Sequence, residues 1–336
     1  MKHVTIKDVA KALNVSVSSV SRAFNDKYDI KKETKDRILK VANEMGYRPN
    51  PIAQKLMKQK SYNIGVIVPE FINDFFAKVT IGIQDVLISR GYQVLVMQSS
   101  EDIDQELNNA RTLIRNFVDG LIVCPINEDV NREFYLSKLE EGIPMVFLGR
   151  VGESLPGSKV VFNDAKWSLF AAEHLIRQQM TKIYYLAGKP NLCVSRNRIK
   201  GFERALEKHG FPPENSRIIH AGLYPEDGER EMEKLIAEND IPDAILCVND
   251  PVAVGAMKVL KRHGFNIPND IAVVGFTESQ VADLVTPTLT SVSQPSYEMG
   301  KSAAELLLKQ LENGFGIPQT ISFDGELNIR ESSELQ

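Results

Sequence analysis

Along most of the chain, short runs that are apolar at nearly every position alternate with longer stretches in which apolar residues recur at helical spacing. From Asn63 onward the runs include Ile64–Val68, Met145–Leu148 and Ala244–Val248, and amphipathic segments such as Asp74–Arg90 separate them. Strands buried on both faces have the first pattern, and helices that cover a parallel sheet have the second. The pattern predicts an α/β body of doubly wound parallel sheets.

The first sixty residues show helical spacing only. Residues 6–13 place their apolar side chains on one helical face, with Thr5 as the predicted N-cap and Asp8 completing a variant of the capping box. A third helix is predicted over about residues 33–45, with Gly46 as the residue that ends it. This segment is therefore a small all-α unit.

The second of its three short helices, capped by Ser16, exposes side chains suited to nucleic acid. Val20 and Ala23 face inward in this prediction. The outward positions are Val17, Ser18, Ser21 and Arg22. Short side chains permit close approach to DNA, hydroxyls can donate to phosphates, and arginine can form two hydrogen bonds to guanine. Two short helices broken at residues 14–16 are typical of a helix-turn-helix. On pattern alone, a small bundle with a solvated polar face remains the alternative.

The charge distribution favours the DNA-binding interpretation. The first sixty residues carry 14 Lys and Arg against six Asp and Glu, whereas the remainder of the 336-residue chain carries 26 against 38. A basic head on an acidic body is expected when the head binds a polyanion.

Three head segments closely resemble the headpiece of the LacI/GalR family of bacterial transcription regulators. They are Val4–Ala10, Val15–Arg22 and Met45–Asn50. The resemblance extends over essentially the whole chain and implies a helix-turn-helix headpiece, a hinge helix and a two-lobed body of the periplasmic-binding-protein type. The implied ranges are 1–49 for the headpiece, 50–61 for the hinge, 62–162 and 291–321 for the N-lobe, and 163–290 and 322–330 for the C-lobe.

The resemblance also implies roles in DNA binding. Base-reading positions are Val17, Ser18 and Arg22. Phosphate-binding positions are Thr5, Ser19, Ser21, Asn25, Thr34, Tyr47 and Asn50. Ser16 and the hinge residue Ala53 complete the set, and Leu56 is expected to wedge between base steps in the minor groove. Gln54 stands where the family often has Arg, which leaves that hydrogen bond open, and an ordinary flexible linker is the alternative to a hinge helix.

Between the two lobes the resemblance implies a ligand cleft, at the carboxyl ends of the strands. The implied pocket residues are Phe75, Phe76, Asn163, Arg198, Tyr224, Asp250 and Thr277. Aromatic faces combined with Arg and Asp suit a sugar. Phe76 and Tyr224 fit a core position equally well, and Trp167 is expected to pack rather than bind ligand. Thr277 stands where the family usually has Asp, so no relative's ligand transfers directly.

Other kinds of chemistry have little support in the sequence. It contains no nucleophile elbow, phosphate-binding loop, dinucleotide fingerprint or zinc-protease motif, so we expect neither an enzyme nor a cofactor. Its five His are scattered without metal-ligand spacing, and its three Cys are far apart. Without a long apolar run or an apolar leader segment, we expect a cytoplasmic protein.

These observations together predict a homodimeric, ligand-responsive repressor of carbohydrate genes. Its expected partners are pseudo-palindromic operator DNA and a small effector, a sugar or sugar derivative. Two alternatives stay open: a regulator that responds to a nucleobase, and a solute-binding or sensor protein without gene control.

Overall fold

The structure, a computed structural model, describes residues 4–24, 30–48, 60–72, 74–152 and 154–335. The chain forms two compact units, one up to Tyr62 and the other from Asn63 onward. The predicted hinge contacts at Asn50, Ala53 and Leu56 lie outside the described residues, as does Asn25.

The described residues of the smaller unit form three helices: α1 (Ile6–Leu13), α2 (Val17–Phe24) and α3 (Lys32–Glu44). The predicted capping box is present, because the Asp8 carboxylate accepts from the Thr5 backbone N–H at 2.8 Å and from the Thr5 hydroxyl at 2.7 Å. Asn14, with φ of 53°, ends α1, and Gly46, with φ of 71°, follows α3. The predicted helices are confirmed, with ends shifted by one residue in α3.

A small apolar core holds these helices together. Its buried members are Val9, Ala10, Leu13, Val20, Ala23, Ile38 and Ala42. Each comes from a position that helical spacing assigned to an inner face, which confirms that Val20 and Ala23 point inward. The outer face of α2 is thereby left to solvent.

The first lobe of the larger unit is a six-stranded parallel sheet in the order β11-β5-β4-β3-β1-β2. Its strands are β1 (Asn63–Val68), β2 (Gln93–Gln98), β3 (Gly120–Val123), β4 (Met145–Leu148), β5 (Ser158–Phe162) and β11 (Thr320–Phe323). Its helices are α4 (Asp74–Ser89), α5 (Ile103–Arg115), α6 (Arg132–Glu140) and α12 (Ser296–Asn313).

The second lobe repeats this plan with the order β12-β10-β9-β8-β6-β7, in which β12 alone runs antiparallel. Its strands are β6 (Ile183–Ala187), β7 (Ser216–His220), β8 (Ala244–Cys247), β9 (Ala272–Thr277), β10 (Thr290–Ser293) and β12 (Glu326–Asn328). Its helices are α7 (Asp164–Arg177), α8 (Cys193–Lys208), α9 (Pro225–Ala237), α10 (Asp250–Arg262) and α11 (Val281–Leu284). The predicted doubly wound α/β architecture is confirmed.

The chain passes between the lobes three times. It does so once at Asn163, between β5 and α7. The other two crossings follow Ser293 and Phe323, because β10 pairs with β9 in the second lobe and β11 pairs with β5 in the first. The sequence prediction put these crossings slightly earlier, at residues 291 and 322. The reason is that each of these strands finishes its ladder before the chain leaves the lobe.

Close helix packing fixes the geometry beneath the cleft. An added Cβ at Gly201 of α8 would lie 2.1 Å from the Ala165 carbonyl oxygen of α7, so only glycine permits this approach. The contact brings the start of α7 against α8, and with it side chains far apart in sequence. In the described part of the chain, no helix is both long and apolar enough to cross a membrane.

Candidate functional site

The first candidate site is the outer face of α2. Ser16 caps this helix, since its Oγ accepts from the Ser19 backbone N–H at 3.1 Å. Ser18 and Arg22 are exposed, and the apolar side chain of Val17 is 41% exposed. The Ser16 hydroxyl is hydrogen-bonded to the hydroxyls of Ser18, at 2.7 Å, and Ser19, at 2.9 Å. The face thus offers hydroxyl groups, one methyl surface and one guanidinium, which suits a DNA groove.

Other predicted DNA contacts lie near helix ends. Thr34 is exposed in the first turn of α3, where free backbone amides favour an anion such as phosphate. Thr5 is exposed at the start of α1, and Ser21 is half-buried on α2. Tyr47 is half-buried with its ring edge against Phe24 at 5.4 Å between centroids, and burial raises the pKa of its hydroxyl. Contact between these residues and DNA stays a prediction.

The second candidate site is the cleft between the two lobes. It lies at the carboxyl ends of the strands and is partly open to solvent. Its lining includes Phe75, Phe76, Arg150, Asp164, Arg198 and Thr277. A cleft that combines aromatic carbon with a few convergent polar groups has the lining typical of a small-molecule site.

Arg198 is the central charged group of the cleft. Its side chain is 5% exposed, and its Nε donates to Asp164 Oδ1 at 2.7 Å. One Nη donates to the Val248 carbonyl oxygen, and the guanidinium lies 3.6 Å from the centroid of the Phe276 ring. Burial raises the pKa of the Asp164 carboxyl, and Arg198 opposes that rise. These contacts fix the plane of the guanidinium.

A second arginine, Arg150, lines the opposite side of the cleft. Its Nη1 donates to both carboxylate oxygens of Glu101, at 2.7 and 2.9 Å, and its guanidinium lies 5.4 Å from the Phe76 ring centroid. The two side chains are 11% and 13% exposed. This buried ion pair was missed in the sequence because Glu101 and Arg150 follow different strands and no short motif joins them.

The aromatic wall comes from the first turn of α4. Phe75 and Phe76 are 9% and 3% exposed and contact each other edge to face at 5.1 Å between centroids. Both belong to the apolar core, and both also line the cleft. They therefore present carbon surface to a ligand without being free to move far.

The remaining predicted pocket residues separate into two groups. Thr277 lines the cleft at φ of 91°, a conformation that a β-branched residue rarely adopts. Tyr224 instead lines a side recess, which adjoins the cleft at Arg150 and is also lined by Glu70 and Glu101.

Asp250 and Asn163 are placed outside the cleft lining. Asp250 is fully buried, where it accepts from the Ser291 hydroxyl at 2.6 Å and from the Ser279 backbone N–H at 2.6 Å. Burial raises the pKa of Asp250 to about 6. Its neighbour Asn249 lines the cleft instead. Asn163 donates to Asp324 at 2.9 Å, so it joins two crossing segments.

The lobes touch at one rim of the cleft. Arg196 on α8 donates to Glu128, in the loop after β3, at 2.9 Å. Beneath this pair, Ile126 of the first lobe packs against Leu192 and Val194 of the second. We call these five residues the rim contact. At another edge, the Gln280 backbone N–H donates to Asp74 at 2.9 Å, again between lobes.

Trp167 lies where the chain crosses between the lobes. Its Nε1 donates to Asp324 at 3.1 Å, and its ring packs edge-on against Phe170. It is absent from the residues that line the cleft, in agreement with the expectation of a packing role.

Metal and thiol chemistry gain no support within the described residues. None of their His, Cys, Asp and Glu form a group of three or more that could hold a metal ion. Cys124, Cys193 and Cys247 are unpaired and buried. Burial raises the pKa of the Cys124 and Cys193 thiols to about 12, which suppresses the reactive thiolate.

Comparison with known families assigns both units. Residues 5–50 match the family described as bacterial regulatory proteins, lacI family, and residues 172–333 match a periplasmic binding protein-like domain. The HTH-type transcriptional regulator DegA of Bacillus subtilis is 31% identical, with 98% of each chain covered. The ribose operon repressor of Halalkalibacterium halodurans is also 31% identical, over 92% of this chain and 90% of that one.

Other similar proteins differ in the ligands that their names indicate. The HTH-type transcriptional repressor PurR of Aliivibrio salmonicida is 29% identical over 92% of each chain. A solved complex of the transcriptional regulator CelR with cellobiose is 25% identical, with a TM-score of 0.74 over 98% of this chain and all of that one. A lac repressor dimer on operator DNA, 23% identical with a TM-score of 0.85 over 99% of each chain, has the same fold.

Proposed function

Because this chain belongs to the lacI family of bacterial regulatory proteins and is a DNA-binding transcription regulator, we propose that it is a dimeric repressor of carbohydrate genes that responds to a sugar in the interlobe cleft. Paired heads bind the two halves of a pseudo-palindromic operator in the cytoplasm, through α2 in the major groove. The observation that carries the sugar assignment is the cleft lining, which combines the buried rings of Phe75 and Phe76 with the guanidinium groups of Arg150 and Arg198.

Each part of that lining matches one feature of a sugar. The C–H faces of a pyranose or furanose ring pack on aromatic carbon, and adjacent hydroxyls accept paired N–H bonds from arginine. Asp164 and Asn249 supply oxygen atoms that can accept from ligand hydroxyls. A nucleobase is the competing ligand, supported by the PurR relative and by the same aromatic wall.

Regulation follows from differential binding. A ligand that binds one arrangement of the lobes more tightly shifts the equilibrium toward that arrangement. The shift is no larger than the difference between its binding free energies for the two arrangements, and the resulting coupling to DNA binding is typically ~1–3 kcal/mol. The same coupling operates whether the ligand induces or co-represses.

A ligand screen followed by DNA binding tests the proposal. The full-length protein is heated with neutral mono- and disaccharides, sugar phosphates and purines, and any ligand at ~100 times its Kd stabilises the protein by ~2.7 kcal/mol. Operators are then selected from random DNA with and without that ligand. A sugar that stabilises the protein and alters operator affinity supports the proposal. Stabilisation by purines alone would replace the sugar with a nucleobase, and DNA affinity that is independent of salt would remove gene control altogether.

A further inference from the structure

The two arginines of the cleft are already matched by carboxylates of the protein. Arg198 is paired with Asp164, and Arg150 with Glu101, at distances of 2.7 Å. All four side chains are at most 13% exposed. Neither guanidinium therefore brings a surplus positive charge to a ligand.

A third carboxylate lies on the same side of the cleft. Glu70 is 6% exposed and lines the side recess together with Glu101 and Arg150. Burial opposes the charged form of Arg150, but the negative charges around it, Glu101 foremost, raise the pKa of the guanidinium. Among the described residues, the charged side chains of the cleft and of its side recess taken together are therefore two cations, Arg150 and Arg198, and three anions, Asp164, Glu70 and Glu101.

The other described residues of the cleft lining include no further cation. Asn249, Thr277 and Gln294 contribute amide and hydroxyl groups, and the other side chains are apolar. Phosphate sites in proteins contain uncompensated Arg or Lys or a cluster of free backbone amides. A sugar phosphate in this cleft would place a dianion beside Asp164 and next to the recess that holds Glu70 and Glu101, at low local dielectric, where repulsion between like charges is strong.

We infer that the cleft accepts an uncharged sugar and excludes phosphorylated or carboxylated sugars, and that Glu101 is the residue responsible for this exclusion. The inference rests on the proposed function and specifies its ligand. Glu101 acts by accepting from the Nη1 group of Arg150 with both of its oxygens and by balancing the charge of the guanidinium, so that an anion on that side meets no net positive charge.

Replacement of one carboxylate by its amide isolates this role. Glu101→Gln keeps the size of the side chain and one acceptor for Arg150, and changes the charge of the cleft by one unit. The matched control is Glu312→Gln, which removes the same charge from a surface pair with Arg90, where the side chains are 54% and 61% exposed. Both variants are compared with the wild type as full-length proteins.

Two sets of probes are measured by thermal stability and calorimetry. The first contains matched pairs, ribose with ribose 5-phosphate and glucose with glucose 6-phosphate, together with fructose, gluconate and purines. The second is inorganic phosphate against chloride at constant ionic strength, which needs no knowledge of the natural ligand. In the wild type and in Glu312→Gln, a neutral sugar binds and its phosphate does not. In Glu101→Gln, affinity for the phosphorylated partner or for inorganic phosphate rises by about tenfold or more.

The outcomes separate the two proposals. If the wild type binds a sugar phosphate more tightly than its neutral partner, the charge inference is wrong while a sugar-responsive regulator stands. If Glu101→Gln gains no affinity for any anion, Glu101 is not the excluding residue. If purines alone bind, the sugar assignment fails, and the inference fails with it.

Discussion

The rim contact gives the most direct control over closure of the lobes. Glu128 is 6% exposed, and the cation that it pairs with in the structure, Arg196, comes from the opposite lobe. When the lobes separate, this carboxylate loses Arg196, so the ion pair stabilises the arrangement in which the rim is closed. We expect both Arg196→Met and Glu128→Gln to weaken binding of the cleft ligand.

The size of the effect follows from exposure and distance. Two unit charges about 4 Å apart attract by ~4 kcal/mol at an effective dielectric constant of 20. The pair is joined at 2.9 Å, but Arg196 is 39% exposed, so solvent screening reduces the attraction. Desolvation of Glu128 offsets part of the remainder. We expect a net coupling of ~1–2 kcal/mol, which corresponds to a ~5- to 30-fold loss of affinity.

A double-mutant cycle with a fluorescence titration measures this coupling. Trp167 is the only tryptophan of the sequence and donates to Asp324 at a crossing between the lobes, so its emission reports closure. The ligand identified in the screen is titrated into wild type, both single variants and the double variant. The control Arg90→Met breaks an exposed ion pair with Glu312 inside one lobe and should leave affinity unchanged.

Three results would refute the reasoning. The first is a coupling energy near zero in the cycle, which would mean that Glu128 and Arg196 do not act together. The second is an equal loss of affinity in Arg90→Met, which would point to a general effect of charge. The third is tighter ligand binding in the single variants, which would mean that the ligand favours separated lobes.

Three further predictions concern single residues. Arg22→Ala should cost ~1–3 kcal/mol at the selected operator and relax specificity at one base position, as read by anisotropy on operator variants; equal weakening on every sequence would make Arg22 a phosphate contact. Arg198→Ala should abolish the ligand-induced change in Trp167 emission and in DNA affinity while operator binding without ligand persists, and a variant that still responds would contradict its role in the pocket. Since burial raises the pKa of Asp250 to about 6 from an ordinary 3.8, ionisation destabilises the folded state by up to ~3 kcal/mol as pH rises from about 4 to 7. Asp250→Asn should therefore lose less stability than wild type over that range in urea unfolding, and parallel pH profiles would argue against the raised pKa.

The sequence by itself determined the elements and the family. Helical spacing in residues 6–13 and uniform apolar runs such as Ile183–Ala187 are local signals, because burial of one helix face or of a whole strand constrains consecutive residues. The Thr5–Asp8 capping box is equally local and is found as predicted. The outer face of α2 follows from the same periodicity: Val20 and Ala23 are buried, and the residues on the other side of the helix therefore face solvent.

Only the tertiary structure decided which side chains share the cleft. Arg198 meets Asp164 because α7 and α8 pack at Gly201, and Arg150 meets Glu101 because their strands end at one edge of the first sheet. Asp250 follows β8 as a pocket residue would, yet the fold turns it inward to Ser279 and Ser291. Periodicity assigns a residue to a face of its own element, whereas charge pairing depends on the register between elements distant in sequence. The charge of the cleft lining depends on those pairs, and for that reason it is decided by the packing of elements distant in sequence.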